Sequence, residues 1–280
     1  LSGDLTRRHH LVDAGGVRHV ADRRVSRYRF SHALFQRYLY QTLDPAERAY
    51  LHEAVGTALE ALHQGQTDEV AGRLARHFQE AGLLEKAVRY RQQAGDAAAR
   101  VYATPEAVAQ YGQAVQLARQ IDVGGEALTA LYTRLGRALE LNSEYDRALS
   151  TYREMEGLAR QRDDRSMILA SLVARLTIQA VPGATHDPDA AESVGERALA
   201  LSRELDARAV EARVLWVLAV AAFWTGRLAD AIERGERALA LARELDLREQ
   251  MARTLNDLGG LIYLHSGHIF QAIEALQEAS

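Results

Sequence analysis

Along most of this chain, small and aromatic residues return on one helical face at a fixed distance. A helix ending near a glycine is followed about five residues later by a buried-type alanine, then by further small or aromatic positions. Ala75, Phe78, Gly82, Ala87 and Ala94 form one copy; Ala219, Ala222, Gly226, Ala231 and Ala238 another; Gly260, Tyr263, Gly267, Ala272 and Ala279 a third. Small residues let two antiparallel helices approach closely, and large ones fill the grooves between them. The alanines Ala107, Ala148, Ala191, Ala231 and Ala272 are 41, 43, 40 and 41 residues apart, so each unit is predicted to be one helical hairpin. The segment Gly195–Asp206 recurs as Gly235–Asp246 with eleven identities in twelve at an offset of 40. An internal repeat of this period indicates a solenoid of stacked hairpins.

The first 62 residues do not repeat. Leu5–Ala14 reads as a short helix stopped by Gly15-Gly16. Val17–Val20 and Val25–Phe30 read as two short strands around a polar turn, Ala21–Arg24, and helices are expected over Ser31–Leu43 and Pro45–His63. This order suggests a winged-helix-like module. Pro45, Pro105 and Pro188 each follow a capping residue (Asp44, Thr104, Asp187) and mark helix starts. Pro182 sits with Gly183 in an enlarged loop, Val181–Pro188. Ala87 and Ala107 are only 20 apart, so the helix over 83–101 is expected to serve two neighbouring pairs.

The Leu-Gly, Tyr, Gly, Ala and aromatic positions from about Asp68 to Ser280 resemble the tetratricopeptide repeat, in a degenerate form. The usual period of that repeat is 34 residues. The excess implies helices longer by about one and a half turns, at 3.6 residues per turn. The expected fold class is all-α: a right-handed superhelix of helical hairpins over 65–280, preceded by the winged-helix-like module over 1–64.

Composition agrees with that class. The 280 residues are 48% apolar and include four prolines, which argues against disorder and against strand-rich architecture. Cysteine is absent, removing disulfides, thiolate zinc sites and thiol nucleophiles. The longest apolar run, Val214–Trp224, has eleven residues, against roughly 18 or more for a bilayer span. The chain opens on Leu1 without a charged-then-apolar leader, so a cytoplasmic location is expected, with the start a cut edge. The end also reads as a truncation, because Ile273, Leu276 and Ala279 share one face with no polar capping helix after them. Charge divides unevenly: residues 1–37 carry +5 and the remainder −9. A basic head can meet nucleic acid or an acidic protein surface.

The segment Phe30-Ser-His32-Ala-Leu-Phe-Gln36-Arg-Tyr38 resembles the Phe-x-His-x-x-x-Gln-x-aromatic stretch in the winged helix of STAND-class signalling ATPases. In that group a winged helix follows the nucleotide module and a repeat arm follows the winged helix. The resemblance implies that His32 touches the phosphates of bound ADP and holds the closed state. Read from the residues alone, His32 equally suits a cap or packing role at the mouth of its helix. No Gly-x-x-x-x-Gly-Lys-Ser/Thr occurs, and the single lysine, Lys86, lies mid-helix. These residues are therefore expected neither to hydrolyse ATP nor to bind nucleotide tightly, and micromolar ADP affinity in calorimetry would contradict this. No cofactor is expected in this chain, although ATP or ADP is implied for a longer protein.

Other chemistry finds little support. His265/His268 and His9-His10 lack the third ligand a metal needs, His52-Glu53 lacks the second histidine of a zincin, and no Gly-x-Ser-x-Gly elbow occurs. The chain is expected not to be an enzyme. A binding groove is the better candidate, because the first helix of each hairpin lines the concave side of such a superhelix. Repeat register turns Trp216, Val220 and Phe223 inward, with Trp224 beside them, and brings Arg137, Arg175, Gln179, Asn256 and Asp257 to the same side. Aromatic anchors among a few donors suit a peptide or small apolar ligand, while the same stripe also suits a helix buried on both sides. Helix 31–43 is apolar and aromatic with only Arg37 basic, unlike a base-reading helix.

The expected role is a non-catalytic sensor and scaffold arm of a STAND-like regulatory ATPase or transcriptional regulator. Its partners would be a protein, peptide or inducer and an ATPase module before Leu1, with self-association open. The alternatives are a freestanding adaptor and a DNA-binding regulator acting through the basic head, whose mark would be salt-sensitive retention of a duplex by residues 1–63.

Overall fold

The computed structural model describes residues 11–20, 23–63 and 66–279. It forms two compact units, residues 1–123 and 124–280.

The first unit opens with an antiparallel hairpin of β1 (Val12–Val20) and β2 (Arg23–Phe30), in register from Val12↔Phe30 to Val20↔Arg23. This corrects the helix expected over Leu5–Ala14: Val12–Ala14 are strand, while Leu5–His10 lie outside the described residues. Gly15-Gly16 does not stop a helix. It forms a bulge between Ala14 and Val17, with Gly16 at φ +88°, and the strand continues through it. Of the expected turn, Ala21 and Asp22 lie outside the described residues, and Arg23 and Arg24 belong to β2.

Helix α1 (Ala33–Thr42) is capped by His32 and α2 (Pro45–His63) by Asp44. Asp44 Oδ1 accepts the Glu47 N–H at 2.8 Å and Glu47 Oε2 accepts the Asp44 N–H at 3.0 Å, a reciprocal capping box. A 3₁₀ turn (Asp68–Val70) leads into α3 (Ala71–Glu80), α4 (Leu84–Arg100) and α5 (Thr104–Ala118). The cap position before Pro105 is Ala103, one residue earlier than the expected Thr104. Leu74, Phe78, Ala87, Tyr90, Ala107 and Tyr111 are buried, and α4 packs on both α3 and α5. The 64/65 division falls inside this unit, where α2 packs against α3.

The second unit comprises α6 (Gly125–Leu141), α7 (Tyr145–Gln161), α8 (Arg165–Gln179), α9 (Pro188–Glu204), α10 (Arg208–Trp224), α11 (Leu228–Glu244), α12 (Arg248–Asp257) and α13 (Ile269–Glu278). A π-helical turn, Leu258–Tyr263, continues α12. Thirteen α-helices and one two-stranded sheet thus make up the described residues.

The long period has a local cause. Helices α6, α7, α9, α10 and α11 each have 17 residues. Most are joined by turns of three residues, which makes a hairpin about 40 residues long. Each such turn places one residue in the left-handed region: Ser143, Asp163, Asp206, Gly226 and Asp246. The N–H that follows returns to a carbonyl five residues back, as from Glu144 to Leu139 at 2.9 Å and Arg227 to Ala222 at 2.9 Å. These are Schellman closures, which satisfy the last carbonyls and reverse the chain in the fewest residues. The α8–α9 connection is the exception, and Asp187 caps α9 by accepting the Ala190 N–H at 3.0 Å.

Glycine sets the helix spacing at selected crossings. A Cβ on Gly136 would stand 2.2 Å from the Tyr152 ring, and one on Gly195 would stand 2.4 Å from Leu218 Cδ2. Tyr152 and Leu218 are both almost fully buried, so each inserts where its partner helix has no side chain. The apolar run in α10 follows from the same stacking, with Val214, Leu218, Ala221 and Ala222 enclosed by neighbouring helices.

Candidate ligand groove

In the second unit the first helices of successive hairpins, α6, α8, α10 and α12, lie side by side. Their common face forms a groove of about 1090 Å³. Its apolar floor comes from Leu169 and Val173 of α8 and Val210 and Trp216 of α10. Ala170 and Ala174 leave width along the middle of α8. Arg137, Glu140, Arg213, Gln250 and Arg253 stand among the polar lining.

The polar groups fall into two kinds. Some are already paired: Arg137 Nη1 donates to Glu140 Oε2 at 2.7 Å, and Arg253 Nη2 to Glu249 Oε1 at 2.6 Å. The Tyr152 hydroxyl donates to Glu140 Oε1 at 2.8 Å. Burial, then the Glu140 charge, pushes the Tyr152 phenol far above its usual range, so it remains a donor. Arg213 is different. It is exposed at the groove and makes no ion pair among the described residues. The Trp216 indole is held by its Nε1–H, which donates to Asp257 Oδ2 of α12 at 2.8 Å, and its ring packs on the α8–α10 core. A fixed aromatic plate beside an unpaired guanidinium can take an apolar side chain and an acidic group of one ligand.

Of the residues expected to face inward, the structure sets Arg137 and Trp216 on the groove. It draws Arg175 onto the buried Glu156, which also meets the more exposed Arg160 and Arg197. Burial raises the Glu156 carboxyl, but the three guanidinium groups outweigh this and hold it below its usual value. Gln179 is buried at the end of α8 with its Oε1 unpartnered. Val220 is buried, and Phe223 stacks edge-on with Trp224 and His265. Asn256 is exposed on α12 with its amide 3.5 Å from Asp257 Oδ1. None of these five lines the groove.

The stripe on α10 runs toward the N-terminus from Trp216, through Arg213, Val210 and Ala209. Continuing it toward the C-terminus reaches Val220 and Phe223, where the π-helical turn packs against α10. Arg213 and Val210 lie at −3 and −6 from Trp216, and that helical spacing was the signal available in the sequence.

In the first unit His32 is the N-cap of α1: its Nδ1 accepts the Leu34 N–H at 3.1 Å and its ring meets Phe35 edge-on. Lys86 lies on α4, with Nζ 2.9 Å from Glu60 Oε2 and over the Phe78 ring. His265 Nδ1 contacts the Leu261 carbonyl and His268 precedes α13. No three His, Asp or Glu side chains converge as metal ligands among the described residues, and no described helix is long and apolar enough to cross a membrane.

Residues 210–280 match the tetratricopeptide repeat family. None of the curated proteins matches the sequence. Among solved structures, BtubC (BKLC) from P. vanneervenii is similar with a TM-score of 0.61 and 20% identity, over 81% of this chain and 89% of that one. A Rap protein complexed with Competence and Sporulation Factor is similar with a TM-score of 0.55 and 16% identity, over 87% and 68%. The apo form of RapI gives 0.57 and 11%, over 83% and 97%. At these identities the likeness is one of fold, a stack of helical hairpins.

Proposed function

We propose that this chain is a non-catalytic recognition arm that binds an extended peptide, or a peptide segment of a protein, along the groove formed by α6, α8, α10 and α12. The observation that carries the reading is the pinned Trp216 plate beside the unpaired Arg213, over a floor of Val173 and Val210. A groove of this length and mixed lining suits side chains taken in alternation from an extended backbone. The Rap protein solved with Competence and Sporulation Factor has the same fold and adds support.

Panning a random peptide library against the whole chain supplies the probe. Selected peptides should shift the emission of Trp216 and lose binding to Ala174→Arg, which fills the groove, and to Trp216→Ala. If they still bind both variants while stability drops, the groove reading fails.

The finer reading assigns residues 1–64 as a winged-helix-like module and 65–280 as the sensor arm of a STAND-like regulator, cytoplasmic, with an ATPase module before Leu1. The motif at Phe30, His32, Gln36 and Tyr38 and the apolar side chains exposed on α1 and α2, among them Leu34, Phe35, Tyr38 and Tyr50, support a docked neighbour there. His32 would then present Nε2–H to a phosphate while Nδ1 caps its helix. Ligand binding would act through unequal affinity for the closed and open states. Residues encoded upstream of Leu1 decide it: a Gly-x-x-x-x-Gly-Lys-Ser/Thr loop supports the arm, and its absence favours a freestanding adaptor.

A further inference from the structure

The first unit holds a second cavity, independent of the groove. It measures about 390 Å³ and is walled by Arg76, Gln79 and Glu80 of α3, Arg91 of α4, and Gln113, Gln116, Leu117 and Gln120 of α5 and the residues after it. Its size lies in the range of small-molecule sites.

Arg91 is the unusual group. It is half-buried, yet it bonds no carboxylate: Nη1 donates to Gln110 Oε1 at 2.9 Å, Nη2 to Gln79 Oε1 at 3.3 Å, and Nε is buried without an acceptor. Removing a guanidinium from water is costly unless an anion answers it. The chain follows that rule in the second unit, where Arg175 bonds Glu156 and Arg234 bonds Glu192. At Arg91 two amide oxygens stand where a carboxylate would be expected. The Glu106 charge favours that of Arg91 from a distance, but its carboxylate bonds Gln110 and not the guanidinium. Arg76 adds a second positive charge close enough to disfavour that of Arg91, and it makes no ion pair among the described residues.

We infer that this cavity is a binding site for a small, singly charged oxyanion, a carboxylate or a phosphoester, held between Arg76 and Arg91. The four glutamines offer both donors and acceptors to the polar body of the ligand, and Leu117 gives one apolar wall. Glu80 brings the lining to a net +1, which disfavours polyanions. The oxyanion would take the amide places on Nη1 and Nη2, exchanging neutral acceptors for a charged one.

The test uses the whole chain in chloride buffer at constant ionic strength, with acetate, glutamate and dimethyl phosphate, a monoanionic phosphodiester, as separate probes. Expected is a saturable rise in unfolding temperature with at least one probe, and the responding probe distinguishes carboxylate from phosphate. Arg76→Gln, an exposed position, should keep the unliganded midpoint and weaken binding by about tenfold or more, the scale of a lost charged hydrogen bond. Arg91→Gln should abolish the rise, and Arg91→Lys should restore part of it. No saturable response to any of the three probes overturns the inference, as does an undiminished response in Arg76→Gln and Arg91→Gln.

Discussion

His52 Nδ1 lies 3.1 Å from His77 Nδ1 across the contact between α2 and α3. Two imidazole nitrogens at this distance share one proton. Tyr40 OH stands 3.1 Å from His52 Nε2, so the consistent arrangement has the tyrosine donating to Nε2 and His52 Nδ1–H donating to His77. Burial, the His52 ring and then Arg76 and Arg73 lower the His77 pKa, and Arg48 lies over the Tyr40 ring. Among the described residues, the side-chain partners of this pair are Tyr40 and Arg48 rather than a carboxylate that would favour a second proton. A histidine whose folded pKa is depressed contributes stability above its unfolded value of about 6.5, and that contribution is lost as pH falls through the folded pKa. Urea midpoints of the whole chain should therefore fall between pH 7.5 and 5.5, and His77→Gln should flatten the dependence. Equal slopes in the two proteins would refute the pairing.

The hairpin repeat and its period could be read from alanine spacing alone, because the small residues that set helix contact recur with the helices themselves. Gly195 and Gly235 show why. Their identical sequence context reflects identical insertions, by Leu218 and Leu258, of the next helix. The start of the chain was less legible, since Gly15-Gly16 fits a helix stop and a strand bulge equally well until the pairing of Val12 with Phe30 decides between them. The groove was legible at Arg137 and Trp216, where helical register is enough. It was not legible at Arg175, whose fate depends on Glu156 of another helix, a pairing that no local pattern encodes.

Gly195 gives a direct packing test. Gly195→Val places a branched side chain where even a Cβ would overlap Leu218. Overpacking of this kind costs about 1–3 kcal/mol, so the unfolding midpoint should drop with little change in helical circular dichroism. The double variant with Leu218→Ala should recover part of the loss, because the two side chains compete for one volume. A double variant less stable than the sum of the singles would sink the explanation.

Tyr102 offers the opposite change. It occupies the left-handed region at φ +58° in the α4–α5 turn, with 86% of its surface exposed, so the conformation is strained and no burial offsets it. Gly82 holds the equivalent place between α3 and α4 at φ +76°. Tyr102→Gly should raise stability by about 0.5–1 kcal/mol, the relief of strain exceeding the extra chain entropy lost. Chemical denaturation decides the sign, and a loss would mean that the exposed ring has a contact worth more than the strain.

Acid should act on the second unit through Glu192. Its carboxylate is bonded by Arg234, with Nη1 at 3.0 Å, and by Arg227 Nη2 at 2.9 Å, which joins α9 to the α10–α11 turn and to α11. The Arg234 hydrogen bond, against the opposing effect of burial, holds its pKa down to about 2. For a carboxylate with a depressed folded pKa, the contribution is complete above the unfolded value of about 4.3 and is lost as pH falls toward the folded one. The second unit should thus lose stability between about pH 5 and pH 2. Glu192→Gln keeps the shape but removes the carboxylate shared by the two guanidinium groups, leaving Arg234 with Glu196 at 3.2 Å and Arg227 with Asp230 at 3.5 Å, so it should be less stable at pH 7 and show a weaker acid slope. Equal acid slopes in the two proteins would place the acid sensitivity in another carboxylate.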